Sequence, residues 1–286
     1  MKIVFIGGTG MLGMPVAKQL ISDGFDVTLL ARDPAKMQKL FPGSAVIRGD
    51  VLDKQSLIAA FENCDTVYLN LSIQQSSKEK DLQPEREGVR NAIEAAQQKN
   101  LKRIAHLSSI IQNYQGMNGF NWWAFDIKQK SVEAIKSSGI AYSIFYPSTF
   151  METLSHQMRK GNWVFLLGKS EAPMWWIAAR DYAKQVSRSF QIAGTGNKEY
   201  TIQGQEPFDF ENAARVFVDN CPKKLRLLKM PMSVLKFFSQ FNQTMDYGVR
   251  ICEALNKYPE KFESEKTWAE LGMPATTLKQ FSQTFL

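Results

Sequence analysis

Residues Ile3-Val4-Phe5-Ile6-Gly7-Gly8-Thr9-Gly10-Met11-Leu12-Gly13 decide the fold of this 286-residue chain. An apolar run typical of a buried parallel strand leads directly into Gly-x-x-Gly-x-x-Gly, and apolar residues at helical spacing follow as far as Ser22. Such a turn leaves backbone N–H groups at the start of the helix, where a pyrophosphate can bind. The stretch therefore predicts a dinucleotide-binding unit rather than a glycine turn without a ligand.

Each of the three spaced glycines has a different predicted role. Gly7 allows the tight turn, Gly10 lets the phosphates approach the backbone, and Gly13 lets the helix pack against the strand. Together they predict that the chain binds a nicotinamide or flavin dinucleotide.

The end of the second predicted strand, residues 26–30, indicates which dinucleotide binds. A carboxylate about 20 residues past the glycines holds a free ribose 2′-hydroxyl, whereas an arginine accommodates a 2′-phosphate. Ala31 occupies the usual place of the acid, Arg32 follows it, and Lys36 is close enough to assist. Asp33 is an acid at nearly the right distance, although Asp-Pro is also typical of a helix start. The pattern favours NADP(H) over NAD(H).

Charge and composition limit the classes of partner. The net charge of +7 fits a polyanionic cofactor and also suits nucleic acid or anionic lipid. Clusters of basic residues like the densest one in this chain lie more often on a solvated strand edge than in a binding patch. This cluster consists of Lys223, Lys224, Arg226 and Lys229. No nucleic-acid motif accompanies it, so we expect no nucleic-acid partner.

Cysteine usage indicates the compartment. Cys64, Cys221 and Cys252 are far apart in the sequence, and His106 and His156 are the only imidazoles, so we expect no metal site. Sparse, unpaired cysteines are typical of a reducing compartment. No apolar stretch approaches the ~20 residues that span a bilayer. We therefore expect a cytoplasmic protein without a membrane span.

Strands and helices alternate as far as residue 147, which predicts an α/β, doubly wound (Rossmann) parallel sheet. We assign residues 1–150 to this NAD(P)-binding domain and residues 151–286 to a smaller α+β substrate lobe, with some segments returning to the Rossmann core. The further predicted strands are residues 45–50, 66–71, 103–108 and 141–146. The predicted helices are residues 14–22, 56–63, 85–99, 126–138, 208–219, 233–242 and 281–286.

With these motifs placed, the chain resembles the atypical short-chain dehydrogenase/reductase group, in its NmrA-like branch with isoflavone-reductase-type enzymes. The resemblance is good to about residue 185 and loose beyond it. It rests on the glycine motif, Leu30-Ala31-Arg32-Asp33-Pro34, Arg48-Gly49-Asp50-Val51, Ile104-Ala105-His106-Leu107-Ser108-Ser109, and the spacing from Lys128 through Ser138-Gly139-Ile140 to residues 146–152.

The resemblance implies a set of cofactor contacts along the carboxyl ends of the strands. The pyrophosphate would be held by Gly7, Gly10, Met11 and Leu12, with Thr9 and Gly13 in the same turn. The 2′-phosphate would be held by Arg32 and Lys36, the adenine flanked by Asp50 and Val51, and the ribose and nicotinamide lined by Leu71 and Ser72. Near the nicotinamide would lie Ser108 and Ser109, and over its far side Pro147 to Phe150.

The sequence before Lys128 departs from the pattern of the larger family. Ordinary members use Tyr-x-x-x-Lys, in which the tyrosine is the general acid or base. Here Ala124 stands four residues before Lys128, and Asp126 stands four before Lys130, so neither register restores a tyrosine. Three interpretations of Lys128 remain open. It relays a proton to the substrate while holding the ribose, it only holds the ribose, or it is a solvated helix lysine.

The resemblance implies an NADP(H)-dependent reductase of a small carbonyl, enone or quinone-like substrate, with Lys128 supplying the proton and Ser108 or Ser109 orienting the substrate oxygen. The alternatives are a non-catalytic NADP(H) sensor that binds a partner protein and an NAD-dependent sugar-nucleotide epimerase. We expect a monomer or homodimer. The tryptophans form either an aromatic substrate pocket or ordinary packing. They are Trp122, Trp123, Trp163, Trp175 and Trp176.

Overall fold

The computed structural model describes residues 1–285. The strands are β1 (Lys2–Ile6), β2 (Asp26–Ala31), β3 (Ala45–Arg48), β4 (Thr66–Leu69), β5 (Arg103–Leu107), β6 (Ala141–Pro147), β7 (Arg159–Lys160), β8 (Trp163–Leu167), β9 (Met174–Trp175), β10 (Lys198–Ile202), β11 (Pro207–Phe208) and β12 (Arg226–Met230). The helices are α1 (Gly13–Ser22), α2 (Pro34–Leu40), α3 (Lys54–Ala60), α4 (Val89–Gln98), α5 (Trp123–Lys136), α6 (Ala179–Gln191), α7 (Phe210–Asn220), α8 (Met232–Ser239), α9 (Gln243–Lys257), α10 (Glu265–Leu271) and α11 (Leu278–Gln283).

Seven parallel strands form the central sheet in the order β10-β6-β5-β4-β1-β2-β3. Because successive strand residues point to opposite faces, Ile3 and Phe5 pack with α1 and α6, whereas Val4 and Ile6 pack with α3, α4 and α5. Both faces of the sheet are covered, which explains why β1 is a continuous apolar run. The doubly wound fold predicted from the sequence is confirmed.

The helix predicted at 85–99 begins differently from a plain α-helix. A single π-helical turn, Pro84–Gly88, precedes α4. Gly88 lies against the core at this point, because a Cβ there would come within 2.7 Å of Val51 Cγ2. The turn places Glu85 wholly inside the protein. Turns of this kind are frequent at functional sites.

The C-terminal half contributes to both parts of the molecule. The seventh strand, β10, pairs in parallel with β6, and α6 packs against α1. The hydroxyls of Tyr68 on β4 and Tyr182 on α6 are 2.7 Å apart in the core. The rest of this half has its own apolar core and a three-stranded sheet in the order β12-β8-β7.

Three helices of the C-terminal half were predicted. Those at 208–219 and 233–242 correspond to α7 and α8. The helix predicted at 281–286 overlaps α11 only over residues 281–283, because α11 begins three residues earlier at the Thr277 cap, and Leu286 lies outside the described residues. Among residues 1–285, no helix combines the length and apolarity needed to cross a membrane.

Arg103 joins β10 to the rest of the sheet. Its guanidinium is buried at the start of β5 and donates to the carbonyls of Tyr142, Gly194 and Gly196 at 2.6–2.8 Å and to Ser143 Oγ at 3.0 Å. Burial lowers the pKa of Arg103. Because the 194–196 turn precedes β10, these bonds hold the seventh strand in register.

We expect Arg103→Met to lower the free energy of unfolding by about 3 kcal/mol, since it removes four hydrogen bonds from a buried guanidinium, three of them to partly buried carbonyls. Arg90→Met, an exposed arginine on α4, is the matched control and should change this free energy by less than about 0.5 kcal/mol. Urea denaturation measures both. Equal stabilities of the two variants would contradict the role given to Arg103.

Candidate cofactor and active site

The glycine turn is held by close backbone contacts. Gly7 has φ of +92°, and a Cβ there would lie 2.1 Å from the carbonyl oxygen of Asn70 at the end of β4. A Cβ on Gly13 would lie 2.1 Å from the carbonyl oxygen of Gly7. Asn70 Nδ2 also donates to Gly7 O at 3.3 Å. Two of the three glycines are therefore required by the protein's own packing.

Gly10 differs from the other two. The nearest atoms to a Cβ at Gly10 are 3.6 Å away, an ordinary van der Waals distance, so the protein itself leaves room for a side chain there. Thr9 and Gly10 are exposed, and the N–H groups of Met11 and Leu12 have no protein acceptor among residues 1–285. Free N–H groups beside an open cradle at a helix start fit a pyrophosphate.

The end of β2 presents Arg32 to solvent. Arg32 and Lys36 are both exposed, while the Asp33 carboxylate accepts the Lys36 N–H at 3.0 Å and caps α2. Asp33 therefore has the helix-capping role that its position before Pro34 predicts. Arg32 is an exposed cation at the strand end, beside an aspartate that caps the next helix.

The predicted adenine and ribose residues follow β3 and β4. Asp50 is half-buried and accepts the N–H of Leu52 at 3.0 Å, whereas Val51 is a core residue beside Gly88. Leu71 is buried and Ser72 is exposed. Their contacts with a cofactor stay predictions.

Two serines end β5. Ser108 is buried and its Oγ donates to Gln112 Oε1 at 3.1 Å, so its hydroxyl proton is already used. Ser109 Oγ is inaccessible to solvent and has no hydrogen-bond partner within residues 1–285. A buried hydroxyl without a partner is costly. Of the two serines, Ser109 is the one whose hydroxyl is left without a partner among the described residues, and the contact of either serine with a substrate stays a prediction.

Lys128 is ion-paired inside the protein. Its Nζ donates to Glu85 Oε1 at 2.7 Å and to Oε2 at 2.9 Å, with 15% of the lysine side chain and none of the glutamate exposed. Glu85 Oε1 also lies 3.8 Å from His106 Nε2 on β5. The interpretation of Lys128 as a solvated helix lysine is therefore wrong, because the π-helical turn places a buried carboxylate beneath it.

Burial governs the charges of this cluster. It raises the pKa of Glu85 against the opposing effect of Lys128. Burial, with the nearby Lys128, lowers the pKa of His106 to about 3, so this histidine is neutral at pH 7. Both ring nitrogens of His106 lack a hydrogen-bond partner in the part of the chain described. Burial and Glu85 also raise the pKa of Tyr247 on α9 to about 12.

The segment after β6 lies beside a second buried carboxylate. Pro147 is the last residue of β6, and Phe150 packs in the core against Tyr182, with ring centroids 5.4 Å apart. Ser148 Oγ donates to Glu260 Oε2 at 2.8 Å. Burial raises the pKa of Glu260 to about 7. The predicted contact of Pro147 to Phe150 with a nicotinamide stays a prediction.

The tryptophans do not form one pocket. Trp122 is buried in an aromatic cluster with Tyr114, Phe120 and Phe125, whereas Trp176 belongs to the core of the C-terminal half. The other three are partly exposed in separate surroundings. They are Trp123 beside Trp122, Trp163 beneath Arg226, and Trp175 against Phe262. The interpretation that all five form one aromatic pocket is therefore wrong, because only Trp122 and Trp123 pack against each other and the other three lie elsewhere.

Sequence reasoning missed two residues of the site, Asn70 and Glu85. Asn70 is the polar residue at the end of an otherwise apolar strand, and its Oδ1 is buried without a partner among the described residues. A polar residue at the end of a predicted parallel strand could have been recognised as a candidate site residue. Nothing local marked Glu85, because its partners are His106 and Lys128, 21 and 43 residues away.

Comparisons with known proteins give a family and several relatives. Residues 7–164 match the family model described as NAD(P)H-binding. The Photosystem II assembly factor Ycf39 of Synechocystis sp. is 24% identical over 261 residues, which cover 89% of this chain and 78% of that relative. The NAD(P)H azoreductase of Xenophilus azovorans is 27% identical over 210 residues, which cover 71% and 68%.

Solved structures share the fold. The Escherichia coli NADPH-dependent quinone oxidoreductase QOR2, complexed with NADPH, has a TM-score of 0.72 at 20% identity, covering 98% of both chains. The Citrobacter sp. triphenylmethane reductase, complexed with NADP(H), has a TM-score of 0.75 at 17% identity, covering 100% of both.

The glycine geometry gives a matched pair of variants. We expect Gly10→Ala to keep the free energy of unfolding within about 0.5 kcal/mol of the wild type, yet to weaken NADPH binding at least about tenfold, because the methyl group occupies the pyrophosphate cradle. Gly13→Ala should instead lower the free energy of unfolding by more than about 2 kcal/mol, because its methyl group meets a backbone carbonyl. Urea denaturation and NADPH fluorescence titration measure the two effects. Wild-type NADPH affinity in Gly10→Ala would show that this cradle does not hold the cofactor.

Proposed function

The chain belongs to the NAD(P)H-binding family, and on that basis we propose that it is an NADPH-dependent reductase of a small carbonyl, enone or quinone-like substrate. The observation that carries the proposal is the ammonium group of Lys128, held by the fully buried Glu85 and only 15% exposed. A charged lysine kept in place at low exposure, beside the carboxyl ends of the strands, is suited to deliver a proton.

Preference for NADPH rests on Arg32. This side chain is exposed at the end of β2, and the neighbouring Asp33 is occupied in capping α2. A guanidinium there favours a 2′-phosphate through charge-assisted bonds, and the neighbouring Asp33 carboxylate already accepts a hydrogen bond in the helix cap. Lys36, exposed in the first turn of α2, adds positive charge.

The residues present fit the dinucleotide. The open cradle at Gly10 and the free N–H groups of Met11 and Leu12 would hold the pyrophosphate, and Asn70 and Ser109 offer buried polar atoms without partners in residues 1–285. When bound, the reduced nicotinamide supplies a hydride.

Lys128 supplies the proton in this proposal. An ammonium group has three N–H donors, and Glu85 accepts two of them through its two oxygens. The third N–H is left for a substrate oxygen or nitrogen. Glu85 fixes the direction of the ammonium, and Ser109 orients the accepting atom through its unpaired hydroxyl. Ser108 supports the strand end through Gln112 rather than contacting substrate.

A flat, conjugated acceptor is the substrate class that the similar proteins suggest. The cluster of Tyr114, Trp122 and Phe125 packs beside the β5 end, and Trp122 contacts Tyr247 with ring centroids 4.9 Å apart. These three rings are buried against one another, so they pack the region behind the β5 end and leave no free aromatic surface for a substrate. The names of the azoreductase and quinone oxidoreductase among the similar proteins describe acceptors of this shape.

A second candidate is a cofactor-binding protein that serves assembly or sensing through a partner protein. It is favoured by the similarity to the assembly factor Ycf39, which extends over 89% of this chain. The epimerase alternative is disfavoured, because Ala124 is a buried alanine where that chemistry needs a tyrosine.

The role of Lys128 is tested in a Glu85→Gln background, so that removal of the lysine does not leave an unpaired buried carboxylate. We expect the Glu85→Gln/Lys128→Met double variant to lose at least about 100-fold in NADPH-dependent reduction of a naphthoquinone, the scale of a lost general acid. Its affinity for NADPH should stay within a few-fold of the Glu85→Gln single variant. Quinone-dependent absorbance loss at the NADPH band measures turnover, and fluorescence titration measures affinity.

Lys130→Met is the matched control. Lys130 lies on the same helix, is 70% exposed and pairs with Asp126 at the surface. Its turnover should equal that of the wild type. Undiminished turnover in the double variant would remove Lys128 from the mechanism, and no turnover by the wild type with carbonyl, enone or quinone acceptors would favour the sensor.

A further inference from the structure

One short segment holds most of the large apolar side chains that the protein exposes. Ten such side chains are exposed in the described chain, and six of them fall between residues 228 and 245. They are Leu228, Val234, Phe237, Phe238, Phe241 and Met245, and we call this surface the α8 face. Large clustered apolar patches mark interaction sites, whereas single exposed apolar residues need no explanation.

Helix α8 is two-sided. Leu235 and Ser239 are buried where α8 packs on α9, and the phenylalanines point away from that contact. Phe237 is 59% exposed and Phe241 78% exposed. Their ring centroids are 6.0 Å apart, so the exposed rings touch one another rather than the body of the protein.

Positive charge is concentrated in the segment that carries this face. Residues 221–257 contain seven lysines and arginines and two acids, a net charge of +5 within a chain of net charge +7. Lys229 pairs with Glu211 and Lys236 with Glu253. Lys223 and Arg226 instead lie over the rings of Phe285 and Trp163, at 5.2 and 5.6 Å, with no acidic partner in residues 1–285.

The basic residues and the apolar helix are continuous. The cluster Lys223 to Lys229 leads along β12, an edge strand, directly into α8 after Pro231. Leu228 is 41% exposed on this strand, and Trp163 on the adjacent β8 is 40% exposed. Interfacial membrane-binding elements have this composition, in which exposed phenylalanine and tryptophan lie beside lysine and arginine.

We propose that the α8 face docks on the surface of an anionic lipid bilayer. The phenylalanine rings enter the boundary between headgroups and acyl chains, and the lysines and arginines contact the lipid phosphates. A bilayer is favoured over a second copy of this chain, because self-association through this face would bring two segments of net charge +5 together. The proposal does not depend on the reductase activity.

The test is co-sedimentation of the full-length protein with vesicles. We expect binding to vesicles of equal parts phosphatidylglycerol and phosphatidylcholine, and at least about tenfold weaker binding to phosphatidylcholine alone. Phe237→Ser/Phe241→Ser and Lys223→Gln/Lys224→Gln should each weaken binding to the anionic vesicles at least about tenfold. All four changed residues are exposed, so circular dichroism should show intact folds.

Matched controls alter the same residue types elsewhere. Met273→Ser removes an apolar side chain that is 60% exposed, and Lys18→Gln/Lys39→Gln removes two exposed lysines from α1 and α2. Both should bind the anionic vesicles within about twofold of the wild type. Equal binding to both vesicle types, or to neither, overturns the proposal. A dimer in sedimentation velocity that the phenylalanine variant converts to monomer would assign the face to a second copy instead.

Discussion

A backbone-to-backbone contact at Gly7 sets the position of everything at the carboxyl edge of the sheet. The left-handed Gly7 lies against the Asn70 carbonyl, and Gly13 lies against the carbonyl of Gly7, so β1, β4 and α1 meet without side chains between them. Only this closeness lets α1 begin directly over the strand end with its first N–H groups free. The open cradle at Gly10 follows from this arrangement.

The second constraint is the buried carboxylate of Glu85. A lone ionised carboxylate inside a protein is strongly disfavoured, and here Lys128 from α5 compensates it while neutral His106 lies alongside. Pairs of this kind seldom add net stability. In the proposed reaction the value of this pair lies in orientation, since Glu85 holds the ammonium of Lys128 in place. The cluster thus connects the π-helical turn, β5 and α5 to the proposed chemistry.

Much of the fold could be predicted from local patterns. The alternation of apolar strands with helices, together with the glycine turn, predicts the doubly wound sheet. Asp33-Pro34 marks the start of α2 through the cap that the structure shows. Strand β10 was not predicted, because the short stretch Lys198–Ile202 is placed by pairing with β6 and by the distant Arg103. The Glu85–Lys128 pair was missed for the same reason, since it joins residues 43 positions apart.

The glycine turn at residues 7–13 and Arg32 together are expected to bind NADPH in preference to NADH. Calorimetric titration of cofactor-free protein with NADPH, NADP⁺, NADH and NAD⁺, repeated on Arg32→Ala, tests this expectation most directly. We predict that the wild type binds the two phosphorylated cofactors more tightly, and that Arg32→Ala weakens NADPH binding by about 2 kcal/mol while leaving NADH binding nearly unchanged. Equal losses for both cofactors, or no binding of any of the four, would contradict the account.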